Sequence, residues 1–177
     1  MPTLLTKHKR RIQMFQVKGY CVDFVKEEDL PEVVAVYNSN REFLLAHMDQ
    51  EIVTEEWAKE EFRAMDEIGF NSCKIMENSS GKIIGVMDFR LGKETYLSLM
   101  MLHKDYRGNG LGNLIFQAFE EYVKAHNSKA IRIDVVTNYD SSVLDFWVKK
   151  GFVAGDVVGL NWTGKLLPAL TLRKNLI

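Results

Sequence analysis

Apolar and polar residues alternate along Cys21-Val22-Asp23-Phe24-Val25, the period of a half-buried strand. The rhythm then changes. Glu27, Glu28 and Asp29 lead through Pro31, a residue suited to a first helical turn, into Val33-Val34-Ala35-Val36-Tyr37, and Asn38-Ser39-Asn40 supplies the turn chemistry that ends this helix. Thr54-Glu55-Glu56-Trp57 opens a second helix with Trp57, Phe62 and Met65 directed inward. Strands are expected at 72–77 and 82–90, joined by the hairpin turn Asn78-Ser79-Ser80-Gly81, and Glu94 to Leu102 is a third apolar run. Farther on, Leu111, Leu114, Ile115, Ala118 and Tyr122 recur at helical spacing until Asn127-Ser128. A strand over 130–136 follows, then a helix over 141–150 with Val143, Phe146 and Trp147 facing in, and strands near 152–159 and 167–173. Residues 1–18 fit either a short helix or an extended arm.

This order mixes hairpins with crossovers, so the fold class is α/β of the α+β kind, a mixed central sheet with helices on both faces. No repeat occurs, and no linker rich in Pro, Gly or Ser divides the 177 residues. The expected organisation is an arm over 1–19 and one domain over 20–177. The last strands, Val157-Val158-Gly159-Leu160 and Leu166 to Leu172, are apolar and end the sheet, so one of them forms an edge that either a homodimer covers or, in a monomer, the charges of Lys165, Arg173 and Lys174 protect.

The formal net charge of −1 gives no electrostatic footprint for nucleic acid. The basic run Lys7-His8-Lys9-Arg10-Arg11 reads as a solvated polar face. Cys21 and Cys73 lie in strands, away from any C-x-x-C pair or ligand-spaced histidine, which argues for buried thiols and against a metal or a disulfide. No apolar run reaches membrane-spanning length and the first residues lack a signal-peptide layout, so a cytoplasmic location follows by default.

The chemistry gathers between Leu97 and Gly112. An apolar strand passes through His103-Lys104-Asp105-Tyr106 into Arg107-Gly108-Asn109-Gly110-Leu111-Gly112, which opens an amphipathic helix. Glycines at such a junction let the backbone turn tightly with N–H groups outward, and the helix start adds unpaired donors and partial positive charge. With Arg107 this makes a cradle for a pyrophosphate. A Walker site is excluded because no Gly-Lys-Ser/Thr follows. A dinucleotide site could use Asp134, about twenty residues on, as its ribose acid. However, the third glycine of that fingerprint would fall at 113, which is Asn113.

These residues resemble the GNAT superfamily of acyl-CoA-dependent N-acyltransferases. Arg107, Gly110 and Gly112 match its Arg/Gln-x-x-Gly-x-Gly/Ala signature, and Asp140 to Phe152, ending in Lys150-Gly151-Phe152, resembles the helix after its fifth strand. The resemblance covers residues from about 20 to the end and implies a three-layer fold with a mostly antiparallel sheet. It implies acetyl-CoA as co-substrate, with Leu102 handing its backbone to the pantetheine arm beside Met100 and Met101. Arg107, Gly108, Asn109, Gly110, Leu111 and Gly112 would hold the pyrophosphate. Asn138, or Asp140 if the loop carries an insertion, would contact the cofactor, and Phe146 and Trp147 would line its other side.

At one point the sequence departs from the family. A tyrosine often stands four residues before the Gly-Phe pair as acid toward the leaving thiolate, and here that position is Trp147, whose indole N–H cannot give up its proton. Tyr139 is the substitute candidate. A backbone N–H at Met101-Leu102 would stabilise the oxyanion, and Glu94, Asp88, Glu42 and His47 are candidates to accept the amine's proton. Segment 38–53 would shape the acceptor pocket, polar through Asn38, Asn40, Arg41 and Asp49 and floored by Phe43 and Leu44. The function implied is acetyl transfer to a primary amine of a small molecule or of a peptide or protein. The alternatives are a GNAT-like sensor without turnover and a nucleotide-binding oxidoreductase.

Overall fold

The computed structural model describes residues 14–177; the basic run at 7–11, like everything before residue 14, lies outside the described residues. Strand β1 (Phe15–Val17) turns back into β2 (Tyr20–Phe24) through Lys18 and Gly19, both at positive φ. Phe15 to Val17, placed by the sequence in an arm over 1–19, pair with Val22 to Tyr20 as part of the sheet. Helix α1 (Leu30–Ser39) follows, with Pro31 in its first turn. The stretch after it, read as a connecting segment, holds a second helix, α2 (Arg41–Met48). Leu44, His47 and Met48 sit three and four residues apart and bury one side of α2, and Asp49 ends it in a left-handed conformation. Thr54 caps α3 (Glu55–Glu67) by accepting from the Trp57 N–H at 3.2 Å. Only Ala58 of α3 is fully buried; Trp57, Phe62 and Met65 are half-buried.

Then come β3 (Asn71–Glu77), β4 (Ile83–Arg90), β5 (Glu94–Leu102), α4 (Leu111–Ala125), β6 (Ala130–Val136), α5 (Ser141–Lys149), β7 (Val153–Trp162) and β8 (Lys165–Asn175). The strands make one sheet in the order β1-β2-β3-β4-β5-β6-β8-β7, and among the described strands only β5 and β6 pair in parallel. On one face Val33, Val36, Tyr37, Leu44 and Met48 of α1 and α2 pack on Ile83, Val86, Leu99 and Met101. On the other, Ile115, Phe116, Phe119 and Trp147 of α4 and α5 pack on Ile84, Met87, Phe89 and Ile133. This is the three-layer α/β arrangement. Each fully buried side chain of this size stabilises the fold by about 1.5–3 kcal/mol over exposure. Both cysteines are buried and free. No helix among the described residues is long and apolar enough to cross a membrane.

Two features of β5 open a cleft in the sheet. Asp88 faces Leu99 while Phe89 faces Leu97, so Ser98 is an extra, bulged residue. The bulge changes the parity of the strand: Leu97 packs with α4, while Leu99, two residues on, packs with α1. In addition, β5 pairs with β6 only through Glu94 to Tyr96 against Ala130 to Arg132, whereas β6 pairs with β8 along its whole length. Beyond Tyr96 the two strands part. The base of the fork is tied by Asp134, which accepts from Tyr96 Oη at 3.0 Å, from Arg132 Nε and Nη2 and from Thr171 Oγ1. Gly85 of β4 is needed where β5 presses close: a Cβ there would stand 2.8 Å from the Met101 carbonyl oxygen. At the far side β7 is an outer edge, with Val153 and Val157 exposed.

Candidate active site

The fork opens into a cavity of ≈ 220 Å³ bounded by Leu97 to Leu102 on β5 and Ile133 to Val136 on β6. Arg107, Trp147, Asn40, Phe43, His47, Tyr139 and Trp162 also line it. At its mouth the His103 N–H donates to the Ile84 carbonyl at 2.8 Å. The alternation of an antiparallel ladder then turns the N–H and C=O of Leu102 away from β4 and toward the cleft. The Leu102 carbonyl accepts from Asn40 Nδ2 at 3.0 Å, and the same amide holds the Val36 carbonyl at 2.9 Å. Asn40 is buried, so it is a strut between α1 and the end of β5. In the sequence it reads as a polar turn residue and as part of the polar acceptor segment. Its contact lies 62 residues away, and no local pattern signals it.

The glycine loop stands beside this mouth. Gly108 and Gly110 have φ of 84° and 86°, and a Cβ at either would meet no protein atom within 4 Å. Gly110 caps α4, whose first N–H groups have no partner inside the helix. Open space over backbone donors at the positive end of a helix fits an anion the size of a pyrophosphate. Gly112 differs: its Cβ would rest 3.8 Å from Phe146 and 3.9 Å from Leu102, ordinary contact with the protein. Asn109 is exposed, whereas Leu111 is buried, leaving only its backbone to face a ligand.

Among the other expected cofactor contacts, Met100, Met101, Leu102, Arg107 and Trp147 all line the cavity, and Phe146 lies against Gly112. Asn138 and Asp140 are exposed and do not line it. Asp140 caps α5, accepting from the Ser142 N–H at 2.9 Å, and that bond holds its carboxyl below the usual range. Trp147 is buried in an aromatic cluster with Phe116, Phe146 and Phe152 at 4.8–5.5 Å between ring centres. Asp134 spends both its oxygens on Tyr96, Arg132 and Thr171 and has none left for a ribose hydroxyl. That removes the acid a dinucleotide site would use.

Of the proton-transfer candidates, the structure brings together two. His47 is buried and stacked on Phe43 at 3.9 Å, with Tyr139 edge-on at 5.0 Å and Trp162 at 5.7 Å. Its Nδ1 lies 2.9 Å from the Phe43 carbonyl oxygen. A carbonyl only accepts, so Nδ1 carries the hydrogen and the neutral ring keeps an acceptor at Nε2. Burial lowers the His47 pKa, opposed by that hydrogen bond and reinforced by nearby Lys165. Burial likewise raises the Tyr139 pKa, against the pull of Arg107, which keeps its hydroxyl a donor.

Glu94 is not part of this group. It stands at the opposite end of β5 from Leu102 and is ion-paired with Arg173, because the strand runs the length of the sheet between them. Glu42 is on the exposed side of α2. Asp88 faces a different cavity. Among the described residues no group of three or more His, Cys, Asp or Glu side chains gathers as metal ligands would.

Residues 15–159 match the family model described as the acetyltransferase (GNAT) domain. No curated protein matches the chain. Among solved structures the chain is similar to an acetyltransferase from Thermus thermophilus, with TM-score 0.74 at 17% identity over 90% of this chain and 99% of that one. It is also similar to an acetyltransferase from Salmonella typhimurium that modifies the N-terminal serine of ribosomal protein L7/L12, at 0.74 and 13% over 94% and 99%. A third is RimL, an L7/L12 α-N-protein acetyltransferase in complex with coenzyme A, at 0.72 and 12% over 92% and 97%. At such identities these likenesses establish the fold.

Proposed function

The chain belongs to the GNAT acetyltransferase family, and from that premise we propose that it transfers an acetyl group from acetyl-CoA to a primary amine held in the aromatic part of the cleft. The observation that carries the reading is the fork between β5 and β6, with the open glycine loop at its mouth. Acetyl-CoA would supply the thioester carbonyl and the thiolate that leaves. Gly108, Gly110, the first turn of α4 and Arg107 are the residues to hold its pyrophosphate, and the parted edges of β5 and β6 its amide-bearing arm.

The chain's own groups divide the remaining work. The Leu102 N–H faces the cleft and can donate to the carbonyl oxygen as negative charge develops there, a preorganised contact that strengthens in the transition state. His47 Nε2 is an acceptor for the proton the amine must lose as its nitrogen bonds to the acyl carbon and the carbon–sulfur bond breaks. Tyr139 keeps its hydroxyl hydrogen and can hydrogen-bond the departing sulfur and pass it that proton, whereas the Trp147 indole N–H can donate only a hydrogen bond. Phe43, Trp162 and the ring of His47 itself keep this space apolar, which favours the neutral, nucleophilic form of an amine.

Small amines and peptide or protein amino termini both suit an aromatic cleft of this kind, and RimL and the Salmonella enzyme act on the amino terminus of a ribosomal protein. The test is thiol release from acetyl-CoA across a panel of small amines and amino-terminal peptides. Release with none of them would end the reading. A second reading, an acyl-CoA-binding domain without turnover, draws on Trp147 at the position where the family often has a tyrosine; tight coenzyme A binding with no thiol release would favour it.

A further inference from the structure

A second cavity, ≈ 320 Å³, lies on the helical face of α1 and α3 and shares a wall with the first. That wall is Ser98, the bulged residue of β5, with Leu160 and Trp162, all three of which line both spaces. The second cavity is lined by aromatic rings, by Glu61 of α3 and by Asp88 of β4. Asp88 is only 5% exposed, and its Oδ1 has no hydrogen-bond partner. The indole Nε1 of Trp162 and the hydroxyl of Ser72, which stands opposite Asp88 on β3, are also buried without one. Burying a polar atom without a partner is costly, so an orphaned carboxylate oxygen on a cavity wall marks a place that something else can complete.

The charges around Asp88 indicate what is missing. Lys74, the buried cation on β3, is already bound to Asp29 at 2.6 Å. Arg90, the one cation among the lining residues, lies over the Phe70 ring at 5.1 Å with Nη1 3.5 Å from the Ile68 carbonyl. Glu61 adds a second acid. An anion would meet two acids here, whereas a cation would meet the unpartnered Asp88 Oδ1 and the rings of Trp57 and Trp162, which attract positive charge.

We propose that this cavity is a second subsite for the acceptor, taking the cationic far end of an amine substrate whose near end is acetylated in the first cavity. The inference rests on the acetyl-transfer reading. The acceptor class is then a primary amine that carries a second ammonium or guanidinium group. Asp88 supplies the charge-assisted contact, Glu61 adds to the field, and Trp57 and Trp162 the aromatic walls. In register Asp88 pairs with Leu99, three residues along β5 from Leu102. At the rise of an extended strand this separates the subsites by roughly 10 Å, a span a short flexible chain covers. Burial, opposed by Ser72 and reinforced by Glu61, raises the Asp88 pKa to about 7 in the free protein. An arriving cation would restore its charge.

The experiment compares straight-chain α,ω-diamines with monoamines of equal length, in wild type, Asp88→Asn and Glu61→Gln. The expected result is a kcat/KM for the best diamine at least about tenfold above that of its monoamine in wild type. That ratio should fall at least tenfold in Asp88→Asn, through KM and not kcat, and by a smaller factor in Glu61→Gln. Calorimetry with the same diamine and no acetyl-CoA reads the subsite apart from turnover: binding to wild type and none to Asp88→Asn is expected. Monoamine acetylation without a diamine preference, or a preference that survives Asp88→Asn, would overturn the subsite and leave the acetyltransferase reading standing. Diamine binding that depends on Asp88 with no acetylation of any amine would overturn acetyl transfer and keep a cation-binding cavity.

Discussion

Gly110 and Gly112 lie two residues apart, yet a methyl group should do opposite things at the two positions. In Gly112→Ala the new Cβ would rest at 3.8–3.9 Å from Phe146 and Leu102, at ordinary contact distance. A helical Gly→Ala change gains about 0.5–1 kcal/mol. In a domain of this size that corresponds to a rise in Tm of about 1–4 °C. Coenzyme A affinity should stay within about twofold, because the methyl turns toward protein. At Gly110 the backbone φ is 86°, and an L side chain there costs about 1–2 kcal/mol, so the free protein should lose about 2–8 °C. Its methyl would enter open space over the start of α4. If a phosphate rests there, displacing it from one charge-assisted hydrogen bond costs about 1.5–3 kcal/mol, or about 10–150-fold in Kd. Thermal unfolding without ligand reads the first effect and calorimetry with coenzyme A the second. A Gly110→Ala protein that binds coenzyme A like wild type would show that the pyrophosphate is held elsewhere; so would a tenfold loss of affinity in Gly112→Ala.

Three further outcomes are expected. His47→Gln should lower kcat by about 10²–10⁴-fold and abolish the acidic limb of the kcat–pH profile, whose midpoint in wild type should lie below the ordinary histidine value of 6.5 because burial disfavours the charged ring; an unchanged limb would assign it to another group. Asp88→Asn should stabilise the free protein above pH 7 and not below pH 4. The folded protein holds the Asp88 proton more tightly than the unfolded chain, so stability falls as pH rises from 3.8 to about 7, by at most about 4 kcal/mol; equal Tm gains at pH 4 and pH 8 would contradict this. Trp147→Phe should keep turnover within about tenfold while weakening coenzyme A binding, since the indole packs among Phe116, Phe146 and Phe152, and a thousandfold loss of turnover in a folded protein would mean that the indole N–H takes part in the chemistry.

Much of the fold is legible in the sequence where one period governs a whole element. The apolar spacing from Leu111 to Tyr122 marks α4, and strand 130–136 coincides with β6. The short α2 is hidden because eight residues, beginning with Arg41 and Glu42 after an asparagine, give too few apolar positions to set a helical period. The apolar run Val157 to Leu160 reads as a strand that ends the sheet, and β7 is its outer strand, with Val153 and Val157 exposed. The insertion of β8 between β6 and β7 is a long-range pairing that no local spacing encodes. The same division holds at the site. The glycine loop is local and stands out, whereas the burial of His47, the reach of Asn40 to Leu102 and the separate cavity at Asp88 arise only when distant elements meet. The distance of Glu94 from the cleft is likewise set by which end of β5 opens, and that depends on where β6 stops pairing.

The fork between β5 and β6 also changes what kind of object the sheet is. An ordinary sheet exposes bare backbone only along its outer margins, and those margins invite other strands to add on. Here an additional pair of margins lies inside the sheet, in a cleft that Phe43, His47 and Trp162 also line. A thin thread carrying its own amide groups could slip in and stitch them together. Until that happens, the amides of Met100 and Leu102 should exchange hydrogen with solvent faster than their central position suggests. The middle of this sheet would then be its loosest seam, and whatever fills the fork would tighten it.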